Sequence, residues 1–118
     1  MTLLHNMPIT EEIKQIRTSF GCSQEILADI IGVGTRTIVR WEHNESYPHQ
    51  LAIEKMRRVE KLIQKLLEVF ERKEAIEWLN TPNQSLEGRT PLKEIVYNPE
   101  GIEKISNLLG TIEWGIIT

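Results

Sequence analysis

SQEILADIIGVGTRTIVRW, residues 23–41, is the stretch that decides the fold. Ser23 is a side-chain acceptor placed just ahead of a run in which Ile26, Leu27, Ala28, Ile30 and Ile31 supply apolar surface, with Gln24 and Glu25 in the first turn. The third residue after Ser23 is Ile26 rather than Glu or Gln, so the cap is not a reciprocal box. Gly32-Val33-Gly34 then forces a sharp turn, and a second helix is expected from Thr35 to His43, with Ile38, Val39 and Trp41 set among polar residues. Two short helices held at a fixed angle need a small residue at their crossing, a glycine in the turn and apolar plugs beneath the second helix. Ala28, Gly32 and the pair Val33 and Ile38 meet those needs, which leaves Thr35, Arg36, Thr37 and Arg40 to face outward. The pattern is that of a helix-turn-helix.

Helical spacing continues on both sides. Upstream, Thr10 is expected to cap a helix running through Ile13, Ile16 and Arg17 to Phe20, with Gly21 ending it. Downstream, Asn44 to Pro48 reads as a loop, followed by one long helix from Gln50 to Arg72. Met56, Val59, Ile63, Leu66 and Phe70 recur along it at steps of three and four, widened by Leu62 and Leu67, and part of this stripe is expected at a dimer interface. A shorter helix, Glu74 to Leu79, stops before Thr81-Pro82-Asn83. The polar segment to Arg89 places Glu87 and Arg89 in solvent and needs a positive φ at Gly88. Thr90-Pro91 opens a helix through Leu92, Ile95 and Val96; Asn98-Pro99 repeats the device for a last helix that Gly110 closes. Strand-like alternation is nearly absent. The expected fold is all-α, an N-terminal helix-turn-helix bundle of about four to five helices over residues 9–60 joined to a small helical domain over 61–118.

Composition narrows the function. The 118 residues are 40% hydrophobic and 26% charged, as in a globular protein, and charge interrupts every apolar stretch before it could span a membrane. The N-terminus has no basic region or cleavage site of a secretory signal, and one cysteine allows no internal disulfide, so a cytoplasmic location is expected. The net charge of −3 is uneven: residues 1–73 hold eleven Lys and Arg against ten Asp and Glu, residues 74–118 three against seven. The acidic part is therefore expected away from DNA. His43, His49 and Cys22 match no zinc spacing, and no phosphate loop, dinucleotide fingerprint or nucleophile elbow occurs, so neither catalysis nor a metal or cofactor is expected. Trp114, Ile116 and Ile117 form an apolar tail that is costly to leave in water, at ~25 cal/mol per Å²; contact with a partner or a second copy is expected.

Ile13 to Arg17, Ser23-Gln24-Glu25, Leu27-Ala28, Gly32-Val33, Thr37-Ile38, Arg40-Trp41-Glu42 and Tyr47-Pro48 together resemble the lambda-repressor/Cro-like (Xre) family. That resemblance implies a phosphate contact for Gln24, base edges for Thr35, Arg36 and Arg40, a backbone role for Thr37, and a buried pairing of Glu42 with Arg17. Gly34 departs from the pattern, standing where Ser or Thr commonly caps the recognition helix. The order Trp78-Leu79, Pro82-Asn83, Leu86, Gly88, Thr90-Pro91-Leu92 and Glu100-Gly101 is similar to the Xre/MbcA/ParS toxin-binding domain of type II antitoxins. It implies a toxin partner of the RES type, resembling ADP-ribosyltransferases and acting on NAD⁺, with its active-site cleft blocked by the C-terminal region, here Trp114, Gly115, Ile116 and Ile117. Operator DNA and a homodimer complete the implied partners. The alternative is an Xre-family regulator without a toxin.

Overall fold

Left-handed glycines and capping side chains set the limits of most helices. The computed structural model describes residues 8–113. Among them lie α1 (Ile9–Phe20), α2 (Gln24–Ile31), α3 (Thr35–Glu42), α4 (Gln50–Val69), α5 (Arg72–Leu79), α6 (Pro91–Tyr97) and α7 (Gly101–Glu113), with a 3₁₀ turn at Gln84–Leu86 and no strand among the described residues. The architecture is all-α. The chain divides into two compact units between Arg57 and Arg58.

In the first unit, Gly21 (φ 62°) ends α1 and Gly32 (φ 89°) ends α2, both in the left-handed region. Ser23 caps α2 by accepting the Ile26 N–H at 3.1 Å. Thr10 does not cap α1. The helix begins two residues earlier, after Pro8, whose carbonyl accepts the Glu12 N–H at 3.0 Å, and the Thr10 hydroxyl donates to the Trp41 carbonyl at 3.0 Å. That hydroxyl ties α1 to α3 instead. Ile13, Ile16, Phe20, Leu27, Ala28, Ile38 and Trp41 are buried, so the small residue and the plug beneath α3 lie where a helix-turn-helix needs them. An Arg57–Glu12 ion pair joins the start of α4 to α1.

In the second unit the expected helix to Arg72 is broken. α4 stops at Val69 and α5 starts at Arg72, because Glu71 and Glu74 form a capping box; the Glu74 carboxylate accepts the Glu71 N–H at 3.2 Å. Phe70 and Trp78 then meet across the break, ring centroids 5.5 Å apart. Val59, Leu62, Ile63 and Leu66 are buried, as is Met56 at the end of the first unit, whereas Leu67 is 41% exposed and lies off the stripe. Thr90 caps α6 by accepting the Lys93 N–H at 3.1 Å. Asn98 opens a turn rather than α7: its side chain accepts the Glu100 N–H at 2.9 Å and its carbonyl the Gly101 N–H at 2.8 Å, delaying α7 to Gly101. Gly110 does not close α7, which runs on to Glu113; its φ stays negative, so its left-handed option goes unused.

Gly101 is required by proximity. A Cβ there would sit 2.7 Å from the Glu94 carbonyl carbon and 2.9 Å from Cα of Ile95, against backbone that cannot swing aside. Gly101→Ala should therefore force α6 and α7 apart and cost about 1–3 kcal/mol or more in urea unfolding. Gly110→Ala, which meets open space inside a helix, should instead stabilise by about 0.5–1 kcal/mol.

Candidate functional site

The outer face of α3 grows from the turn beneath it. Gly34 enters α3 in extended conformation (φ −77°) and gives no side-chain cap, so the cap implied by the family pattern is absent. Thr35, Arg36 and Arg40 are exposed and Thr37 is half-buried. Arg36 and Arg40, four residues apart, project from one side of the helix, and neither forms an ion pair among the described residues. His43 caps the far end in solvent, its Nδ1 3.0 Å from the Val39 carbonyl. Two free guanidinium groups beside two hydroxyls are the donor set suited to base edges and phosphates.

What holds that face is a clamp around the buried Glu42 carboxylate. Arg17 donates to Glu42 through Nε at 2.6 Å and Nη2 at 3.2 Å, and the Gln24 amide donates to the same carboxylate at 2.8 Å. One side chain each from α1, α2 and α3 thus meets at one point. Burial pushes the Glu42 carboxyl up, but the hydrogen bonds from Arg17 and Gln24 and the positive charges of Arg17 and Lys14 prevail and hold it below its ordinary value. The structure brings Gln24 to Glu42, which leaves one amide hydrogen for any other acceptor. Beside the clamp, burial raises the Cys22 thiol to about 11, against the opposing charge of Arg17, so it is a neutral packing group.

The second unit has its own node, one that sequence reasoning missed. Glu94 is buried on α6 and accepts from Arg89 Nε at 2.7 Å and from Asn98 at 3.1 Å, with Lys104 Nζ at 3.5 Å. The hydrogen bond from Arg89, then that from Asn98, overcome burial and bring its carboxyl down to about 2. Arg89 is therefore anchored rather than simply solvated, while Glu87, 84% exposed, lies 3.3 Å from its outer nitrogen. The loop it holds closes on itself: Asn83 N–H donates to the Arg89 carbonyl and Gly88 N–H to the Asn83 carbonyl, each at 3.0 Å. Glu87 (φ 57°) and Gly88 (φ 86°) make the left-handed turn, and Leu86 is buried beneath it. The cue in the sequence was an acid, Glu94, inside an apolar run, with Asn98 four residues on and Arg89 just ahead of the helix. Trp114, Gly115, Ile116 and Ile117 lie outside the described residues. Among the described residues no group of three or more His, Cys, Asp or Glu could hold a metal ion, and no helix is long and apolar enough to cross a membrane.

Comparison with known proteins divides the chain in the same sense. Residues 13–59 match the helix-turn-helix family and residues 65–115 match the antitoxin Xre/MbcA/ParS C-terminal toxin-binding domain. The mycobacterial cidal antitoxin MbcA of Mycobacterium bovis, and the same protein from two strains of Mycobacterium tuberculosis, are each 30% identical over 71 residues. The aligned region is 60% of this chain and 63% of each relative, so it spans less than two thirds of their length. A chain from the crystal structure of the M. tuberculosis MbcT-MbcA toxin-antitoxin complex shares the fold, with a TM-score of 0.71 at 20% identity over 100% of both chains.

The Glu94 node sets a pH dependence. A carboxyl lowered from 4.5 to about 2 on folding contributes stability that is complete above about 4.5 and lost as pH falls toward 2. Glu94→Gln should cost about 1–3 kcal/mol at pH 7 and flatten this acid limb, as read by urea unfolding at several pH values. An acid limb identical in the variant would place the dependence on other groups.

Proposed function

Since the chain joins a helix-turn-helix domain over 13–59 to an Xre/MbcA/ParS antitoxin C-terminal domain over 65–115, we propose that it is an antitoxin with two separable activities. Residues 9–60 bind the operator of its own operon. Thr35, Arg36 and Arg40 meet base edges, and Thr37 and the remaining amide hydrogen of Gln24 meet the phosphate backbone. Two copies pair so that two α3 helices reach two half-sites. Residues 61–118 carry dimerisation and toxin binding. The toxin is of the RES type, acting on NAD⁺ in the manner of an ADP-ribosyltransferase, and Trp114, Gly115, Ile116 and Ile117 block its cleft. The antitoxin is not itself an enzyme; it works by occlusion in the cytoplasm.

The observation that carries this reading is the match of residues 65–115 to a domain defined by toxin binding. It is supported by a first unit in which the exposed Arg36 and Arg40 of α3 form no ion pair among the described residues. A good bidentate arginine contact with guanine contributes ~1–3 kcal/mol of discrimination, and the phosphate contacts make affinity fall steeply with salt.

The test is co-expression with the product of the adjacent reading frame. Arg36→Ala with Arg40→Ala should weaken operator binding at least ~10-fold in a mobility-shift assay while growth stays rescued from the toxin. A chain ending at Glu113 should do the reverse, retaining DNA and releasing toxin activity. If the neighbouring protein is harmless when expressed alone, the antitoxin reading fails and a gene regulator remains.

A further inference from the structure

α3 is eight residues long, too short to persist without support at its ends. Its start carries no side-chain cap at Gly34, whereas its last turn is closed from two directions. Asn44 takes the left-handed conformation (φ 60°), which few residues other than glycine adopt and asparagine tolerates. With the chain turned there, the Asn44 N–H donates to the Trp41 carbonyl at 3.2 Å and the Glu45 N–H to the Arg40 carbonyl at 2.8 Å, a paired closure of the Schellman kind. The Trp41 carbonyl also accepts the Thr10 hydroxyl of α1 at 3.0 Å, and Trp41 itself is buried. Arg40 therefore stands in a turn where its own carbonyl and the next are both occupied. Arg36, in the first turn of α3, lies outside this closure.

We infer that Asn44 is a positioning residue for base reading, a role that rests on the DNA-binding reading above and goes beyond the contact residues named there. It acts through its backbone: it closes α3, with Thr10 holding the same carbonyl from α1, so that Arg40 meets DNA from one fixed place. A helix end whose last carbonyls lack partners frays. An arginine displaced with it loses the paired hydrogen bonds that tell one base from another, because that contact needs two nitrogens in register. Attraction to the phosphate backbone survives such displacement, since it depends on charge and carries no sequence information. The left-handed turn thus serves selectivity more than affinity. Asn44 is exposed, and the closure uses its N–H and not its side chain. Glycine, which adopts the same conformation readily, would serve as well.

The test titrates full-chain variants against the duplex upstream of the chain's own reading frame, and against copies of it that each carry one altered base pair. Asn44→Val, whose β-branched side chain resists the left-handed region, should lose about fivefold or more of the discrimination among these duplexes, with the salt dependence of binding unchanged. Asn44→Gly should keep both. Thr10→Val, which exchanges the hydroxyl for a methyl group, should show the same loss in lesser degree, and Thr10→Ser none. In an Arg40→Ala background Asn44→Val should cost almost nothing further, whereas in an Arg36→Ala background its effect should remain. Each variant is compared at a temperature at which circular dichroism shows it folded, so that a general loss of stability does not imitate the result. An Asn44→Gly chain as defective as Asn44→Val would make the amide a direct DNA contact and overturn the inference. Discrimination unaltered by Asn44→Val, or equal losses in the two arginine backgrounds, would overturn it while leaving the DNA-binding reading standing. A wild-type chain that does not bind the duplex removes both together.

Discussion

The Arg17–Glu42 pair is the constraint on which the first unit turns. Without it, α1, α2 and α3 would share apolar contacts, with the Thr10–Trp41 hydrogen bond between α1 and α3. The bidentate fork, with Gln24 as a third donor, has only one satisfactory geometry. It therefore helps fix where α3 points, together with the Thr10–Trp41 hydrogen bond. Burial makes the arrangement intolerant of halves: remove one partner and a 5%-exposed carboxylate is left without its charge compensation. Glu94 does the same for the second unit, joining the 83–89 loop to α6 and α7 through Arg89, Asn98 and Lys104. Each unit thus has a buried acid that ties several of its elements together.

The cations sort by the same logic. Arg17, Arg57 and Arg89 face buried carboxylates and belong to the architecture. Arg36 and Arg40 in the first unit, and Arg58 and Lys61 in the second, are exposed and have no such partner among the described residues. A count of basic residues, or the net charge of −3, cannot separate these groups. Only the positions of the acids do.

Much of the fold was legible because its signals are local. Gly21, Ser23, Gly32, Thr90 and Pro91 act within a turn of the chain, and all of them stand where the sequence suggests. What escaped was nonlocal or ambiguous. Thr10 has the chemistry of a cap, yet its hydroxyl is taken by Trp41, thirty-one residues away. The α4–α5 break carries neither glycine nor proline, only a pair of glutamates that reads equally well as helix surface. Asn98-Pro99 resembles a helix start, but Asn98 takes the Glu100 and Gly101 N–H groups into a turn, so α7 begins only at Gly101. Of the site, the outward face of α3 followed from periodicity and the Arg17–Glu42 pairing from family resemblance. Glu94 was hidden because a charged residue at a helical step normally faces water.

The open surroundings of Gly34 and the exposed side chains at 35, 36 and 40, of which Arg36 and Arg40 form no ion pair among the described residues, leave the outer face of α3 almost free of structural duty. Its composition is therefore open to drift. A lineage that duplicates such a gene can alter that face by a few exchanges on one helix while the interior is inherited intact. The opposite holds around Gly101, where even a methyl group is refused. Within one small chain, divergence is cheap at one place and nearly forbidden at another.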